Sequence, residues 1–246
     1  MPNGKVYIVG AGPGDLAYLT IRGQQLLAEA EVLIHDALIN PALLQQIPAS
    51  CLRLDVGKRG GQPSTPQAEI NHLLVEHYQQ GQQVVRLKGG DPFIFGRCSA
   101  EIQALQAAGC EFEVVPGISS ALGAPLLAGI PLTDPVLSRC FAVFTAHELD
   151  ALNWQALAQI ETLVILMGGR ALPAIVDQLI HQGKWSQTPI AVIRWASQPQ
   201  QQVWTGTLEN IVHLTKGEKL SPSVLIVGEV VRLRDYMNSI VRLPLA

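Results

Sequence analysis

Short apolar runs that end in glycine, each followed by a stretch of helical spacing, recur along this 246-residue chain. Val6-Tyr7-Ile8-Val9 leads into Gly10-Ala11-Gly12, and Val84-Val85-Arg86-Leu87-Lys88 into Gly89-Gly90. Val114-Val115-Pro116 leads into Gly117, and Val164-Ile165-Leu166-Met167 into Gly168-Gly169. Runs this short and apolar suit strands covered on both faces, and their alternation with helical segments suits parallel strands joined by crossovers. Strands are expected over Lys5–Gly10, 31–36, 51–57 and 83–89, with helices over 19–30, onward from Pro66, and over 100–108. Thr65 is expected to cap the second of these helices with Pro66 as its first residue, where a missing N–H costs nothing. Gly109 is expected as a left-handed cap.

Beyond a Pro/Gly-rich crossing at 113–135, strands are expected over Phe141–Thr145, 162–167, 190–195, 201–205 and 224–228. Helices are expected over 151–160, 171–181 and 208–214. The short Ser/Gln/Pro turn between 190–195 and 201–205 predicts an antiparallel hairpin. The chain therefore reads as α/β with two lobes: 1–116 around a mainly parallel sheet, 117–246 around a mixed one, with the active site in the cleft between them.

Composition narrows the function. Seventeen basic against 20 acidic residues give a net charge of −3, without the basic stripe of a nucleic-acid or membrane-surface binder. Residues 114–133 carry no formal charge, but Pro116, Pro125 and Pro131 break them as a lipid-facing helix. No signal peptide is expected, because the first apolar run is too short. Cys51, Cys98, Cys110 and Cys140 show no CxxC and no histidine at ligand spacing, which reads as a reduced cytoplasmic protein without a metal site.

In α/β sheets ligands gather at the carboxyl ends of strands, so those loops are the candidate sites. Gly10-Ala11-Gly12-Pro13-Gly14-Asp15 does not match the dinucleotide fingerprint: its glycines run G-x-G-x-G, Pro13 lacks a donor and Asp15 repels phosphate. Lys88-Gly89-Gly90-Asp91-Pro92-Phe93-Ile94-Phe95-Gly96-Arg97 offers close backbone approach, a carboxylate and an apolar wall. That suits a ligand with an ammonium group or ribose hydroxyls, a flat ring and no phosphate. Pro116-Gly117-Ile118-Ser119-Ser120 adds small hydroxyl donors.

Together with Gly57-Lys58-Arg59, Pro66-Gln67-Ala68-Glu69-Ile70-Asn71, Ala128-Gly129-Ile130-Pro131-Leu132-Thr133 and Val227-Gly228-Glu229-Val230-Val231, these motifs resemble the tetrapyrrole methylase family over residues 5–235. The run from Gly89 to Arg97 resembles the members that methylate uroporphyrinogen III; the alternative is a relative acting on a later precorrin. The resemblance implies a two-lobed methylase fold, a cytoplasmic homodimer, a tetrapyrrole substrate, and no nucleic-acid or membrane partner. It implies S-adenosyl-L-methionine as methyl donor, S-adenosyl-L-homocysteine as product, and precorrin-2 made through precorrin-1 for siroheme or cobalamin biosynthesis. The absence of a dehydrogenase/chelatase module implies the stand-alone form.

Matched by motif, the family's donor contacts fall on Pro13, Gly89, Gly90, Asp91, Ile94, Ser119, Ser120, Met167, Ala196 and Ser223. The proton acceptor falls on Asp36 and the proton donor on Lys58. A polycarboxylate substrate demands cations, for which Arg59, Lys88 and Arg22 are the candidates. The chain departs from the family at His35-Asp36-Ala37 (commonly Tyr-Asp-Arg), at Pro63 (commonly His), at Cys98-Ser99 (commonly Gly-Gly) and at Asp134-Pro135 (commonly His-Arg).

Overall fold

The computed structural model describes residues 4–57 and 65–240. The chain divides into two compact units, Met1–Ser120 and Ala121–Ala246, each built on a five-stranded sheet. The first sheet consists of β1 (Lys5–Gly10), β2 (Val32–His35), β3 (Leu52–Asp55), β4 (Gln83–Lys88) and β5 (Phe112–Val115). Its order is β3-β2-β4-β1-β5 and every pairing is parallel. Helices α1 (Ile21–Ala28), α2 (Pro41–Leu44), α3 (Gln67–Gln79) and α4 (Cys98–Ala107) connect the strands.

Strand side chains alternate between faces, and the two cores of this unit follow that alternation. Val9, Leu33, Val85 and Leu87 pack with Leu26, Leu27 and Leu43 of α1 and α2. Val6, Ile8, Val32, Ile34 and Val84 pack with Ile70, Leu74, Cys98 and Leu105 of α3 and α4. By the same parity Arg86 and Lys88 share the face of Val84, beneath α4.

Two helix starts differ from expectation. The residues after β1 form a 3-10 turn, Leu16–Tyr18, whose first amides are held by Asp15: its Oδ1 accepts from Ala17 N at 2.8 Å. Thr20 then caps α1, accepting from Gly23 N at 3.0 Å. At α3 the cap is Pro66 rather than Thr65. Its ψ of 144° lies outside the helix, while its carbonyl accepts from Ile70 N.

The second unit runs α5 (Ser120–Leu127), β6 (Phe141–Thr145), α6 (Trp154–Gln159), β7 (Thr162–Leu166), α7 (Leu172–His181), β8 (Pro189–Arg194), β9 (Gln202–Thr207), α8 (Ile211–Leu214), β10 (Ser223–Val227) and α9 (Leu233–Ile240). Its sheet order is β6-β7-β10-β8-β9, with β6 and β7 parallel and the other pairs antiparallel. The β8–β9 hairpin is the one the sequence predicts. One face packs on α6, α7 and α8, where Phe144 and Trp154 meet edge to face at 6.0 Å. The other face packs on α5.

Helix α5 occupies part of the stretch that the sequence marks as an irregular crossing. Pro125 lies within it, but Ala121, Gly123, Ala124 and Pro125 are all buried. Small side chains let this helix lie close on Val164, Ala191, Ile193, Val224 and Ile226, and that packing outweighs its poor propensity. No helix among the described residues is long and apolar enough to cross a membrane.

Candidate active site

At the carboxyl edge of the first sheet, three glycine loops meet backbone to backbone. Gly12 and Gly90 exchange amide hydrogen bonds at 3.1 and 2.9 Å, and Ala11 N donates to the Lys88 carbonyl at 2.8 Å. These amides are thereby committed to each other, so this turn is no phosphate cradle. A Cβ on Gly117 would stand 2.3 Å from the Gly90 carbonyl oxygen and 2.7 Å from Gly10. Asp91 ties the junction together: Oδ1 accepts from Phe93 N at 2.9 Å and Oδ2 from Gly117 N at 3.1 Å. Ser119 and Ser120 lie beside Gly90, whose φ of +69° lies in the left-handed region that favours glycine. Gly89, by contrast, is exposed, and a Cβ there would meet nothing within 4 Å. The candidate donor residues of this unit thus share one edge, with open space beside Gly89.

A chain of charges runs beneath that edge. Lys88 Nζ donates to both oxygens of Glu101 at 2.9 Å, and Arg86 Nε donates to Glu101 Oε1 at 2.9 Å. Arg86 Nη2 reaches Asp36 Oδ1 at 2.6 Å, and Asp36 Oδ2 accepts from Gly89 N at 3.4 Å. Helical spacing explains the meeting point: Cys98, Glu101 and Leu105 form the buried stripe of α4, which covers the face bearing Arg86 and Lys88. Burial works against the Arg86 charge, but Asp36 and Glu101 outweigh it and hold the guanidinium protonated, above its ordinary value.

Two candidate substrate cations are paired with carboxylates, Lys88 in the interior and Arg22 at the surface. Lys88 has been given a ligand-facing role by its place after a strand, but parity turns it under α4, where it is 3% exposed and neutralised by Glu101. Arg22 on α1 makes a two-pronged pair with Glu113 at 3.1 and 3.0 Å and lies over the Tyr7 ring. Lys58 and Arg59 lie outside the described residues. The residue before them, Gly57, fits against Ala37 so closely that a Cβ would come within 1.8 Å of Ala37 N, which brings the ends of β2 and β3 together beside Asp36.

The second unit gathers its candidates by antiparallel register. Ser223 pairs with Arg194, and Val224 with Leu166, so the start of β10 adjoins the ends of β7 and β8. Met167 follows β7 directly, and Ala196 lies two residues past the end of β8. The backbone is strained there: Met167, Trp195 and Ser197 have φ of +59°, +52° and +67°. With Phe95 and Arg97 they complete the left-handed non-glycine residues among those described, and all five sit in candidate ligand loops. Strain of this kind persists where surrounding structure imposes it, commonly at functional sites. Ser223 Oγ and Arg194 Nε are buried here without a hydrogen-bond partner among the described residues, a departure from the usual pairing of buried polar atoms.

The open space at Gly89 in the first unit suits a donor such as S-adenosylmethionine, which has hydroxyls, an amino-acid end and an adenine but no phosphate. Among the described residues no group of three or more His, Cys, Asp or Glu is placed to hold a metal. Sequence reasoning missed Glu101; the period-2 parity of β4 combined with the spacing of α4 was the available signal.

Residues 5–212 match the model of the Tetrapyrrole (Corrin/Porphyrin) Methylases. The chain belongs to the tetrapyrrole methylase family. This methylase is 60% identical over 233 residues to the uroporphyrinogen-III C-methyltransferase of Synechococcus elongatus, covering 95% of this chain and 96% of that one. It is 47% identical to the siroheme synthase of Baumannia cicadellinicola over 96% of its own length, and spans 52% of that longer protein. Among solved structures, the uroporphyrin-III C-methyltransferase of Thermus thermophilus complexed with S-adenosylhomocysteine superposes on the methylase with a TM-score of 0.81. The two are 35% identical, with 94% of this chain and all of that one covered.

Proposed function

We propose that this chain transfers methyl groups from S-adenosyl-L-methionine to C2 and C7 of uroporphyrinogen III, giving precorrin-2 by way of precorrin-1. The observation that carries the reading is 60% identity, along nearly the full length of both chains, to a uroporphyrinogen-III C-methyltransferase. The glycine junction and the orphaned Ser223 hydroxyl support it.

Gly89, Gly90, Asp91, Ile94, Ser119, Ser120 and Pro13 are the donor-binding residues assigned to the first unit. Met167, Ala196 and Ser223 are those assigned to the second. When bound, S-adenosylmethionine supplies an electrophilic methyl on a sulfonium whose positive charge disappears as the methyl leaves. Residues that fix the donor and exclude water therefore do much of the work, because alignment lowers the entropic part of the barrier and poor solvation favours loss of charge. The macrocycle must also give up a proton after its carbon is methylated. Asp36, 35% exposed and hydrogen-bonded by Arg86 and the Gly89 amide, is the residue assigned to accept it, so that one proton is lost for each methyl cation gained. Lys58 is the assigned acid partner of Asp36, and Arg59 is assigned to pair a substrate carboxylate. The reading includes a cytoplasmic homodimer, which rests on the family resemblance.

The test is incubation of the full chain with uroporphyrinogen III and the donor, followed by mass detection. Two added methyls are expected, with the singly methylated species appearing first. A tetrapyrrole recovered without added methyl overturns the reading.

A further inference from the structure

Glu101 is the one fully buried acid among the described residues, at 0% exposure, and it faces two cations from a single strand. Lys88, Glu101, Arg86 and Asp36 form a line of alternating charges that starts in the covered face of the sheet and ends at a partly exposed carboxylate. The Arg86 guanidinium is fixed on every side: Nε by Glu101, Nη1 by the carbonyls of Ile34 and Leu87, Nη2 by Asp36. A group held this way transmits position, because a planar fork cannot turn toward one partner without losing another. Stability alone does not call for such an arrangement, since apolar side chains of similar volume commonly replace buried ion groups without loss.

We propose that Glu101 is a positioning residue for methyl transfer: through Arg86 it fixes where the Asp36 carboxylate stands beside the Gly89 loop. Lys88 is the counter-ion that keeps the group neutral, with two cations and two anions. Glu101 touches neither substrate nor donor. The inference rests on the reading of Asp36 as the proton acceptor.

A double-mutant cycle tests it on the full-length protein: Glu101→Gln, Asp36→Asn and the pair, each measured for single-turnover rate, KM for uroporphyrinogen III and donor affinity by calorimetry. Glu101→Gln is expected to slow methyl transfer by about 10²-fold, the scale of a displaced reacting group. Donor affinity is expected to stay within about twofold of wild type and KM to move far less than the rate. In the Asp36→Asn background the Glu101 substitution is expected to have no further effect, because coupled residues are non-additive. Should Glu101→Gln fail to fold, Lys88→Met combined with Glu101→Gln removes one cation and one anion and carries the same cycle. A Glu101 effect of undiminished size on the Asp36→Asn background overturns the inference, as does a Glu101 variant that turns over at the wild-type rate. Full activity in Asp36→Asn alone overturns the underlying reading instead, and the inference with it.

Discussion

Cys98 stands at the first turn of α4, 2% exposed. Burial is the main reason its thiol is pushed up to about 11, and the neighbouring Glu101 adds to the shift. The sign of the resulting pH dependence follows from proton counting. From its ordinary value of 9.0 up to about 11, the unfolded chain gives up this proton while the folded chain keeps it. The stabilisation is complete below pH 9.0 and is lost as the pH rises through that window. Urea unfolding at a series of alkaline pH values is expected to show a steeper loss of stability in wild type than in Cys98→Ala, by at most about one bound proton. Equal slopes would contradict the placement of this thiol. Single residues also explain the empty dinucleotide reading. Asp15 caps a 3-10 turn, and the Ala11 and Gly12 amides are taken by Lys88 and Gly90, so the opening glycines do not offer these amides to a pyrophosphate.

At the scale of elements, the loops after β1, β4 and β5 form one unit because glycine lets three backbones touch. Gly117→Ala places a Cβ 2.3 Å from a carbonyl oxygen, which has no flexible end to swing away. The variant is expected to lose about 1–3 kcal/mol, as overpacked cores do, together with donor affinity; chemical denaturation and calorimetry read the two separately. Wild-type values for both would show that the junction is not closed as described. The parallel strands and the hairpin were legible because apolar runs and turn residues state them locally. Helix α5 was not, since Pro125 and Gly123 read as breakers and only burial against Val164 and Ile226 reveals the helix. The candidate loops were legible at strand ends, yet the direction of Lys88 was misjudged. Its position after a strand suggested the ligand side, whereas alternation along β4 and the Cys98–Glu101–Leu105 stripe of α4 determine that it points inward. The partner of Arg22, Glu113, lies 91 residues away in sequence, beyond the reach of local pattern.

At the scale of the whole molecule, the two units carry different candidate features. The first unit contributes the interlocked glycine loops and the charged line that ends at Asp36. The second contributes strained strand ends and unsatisfied polar atoms at Ser223 and Arg194. With a net charge of −3 the chain has no overall field to attract a polyanion, and the Lys88 charge is balanced internally by Glu101. The most direct test of the account is carbon NMR of the tetrapyrrole formed from uroporphyrinogen III and methyl-labelled S-adenosylmethionine. The account predicts label on C2 and C7 and on no other carbon. Label at any other ring position, or a product without label, would contradict it.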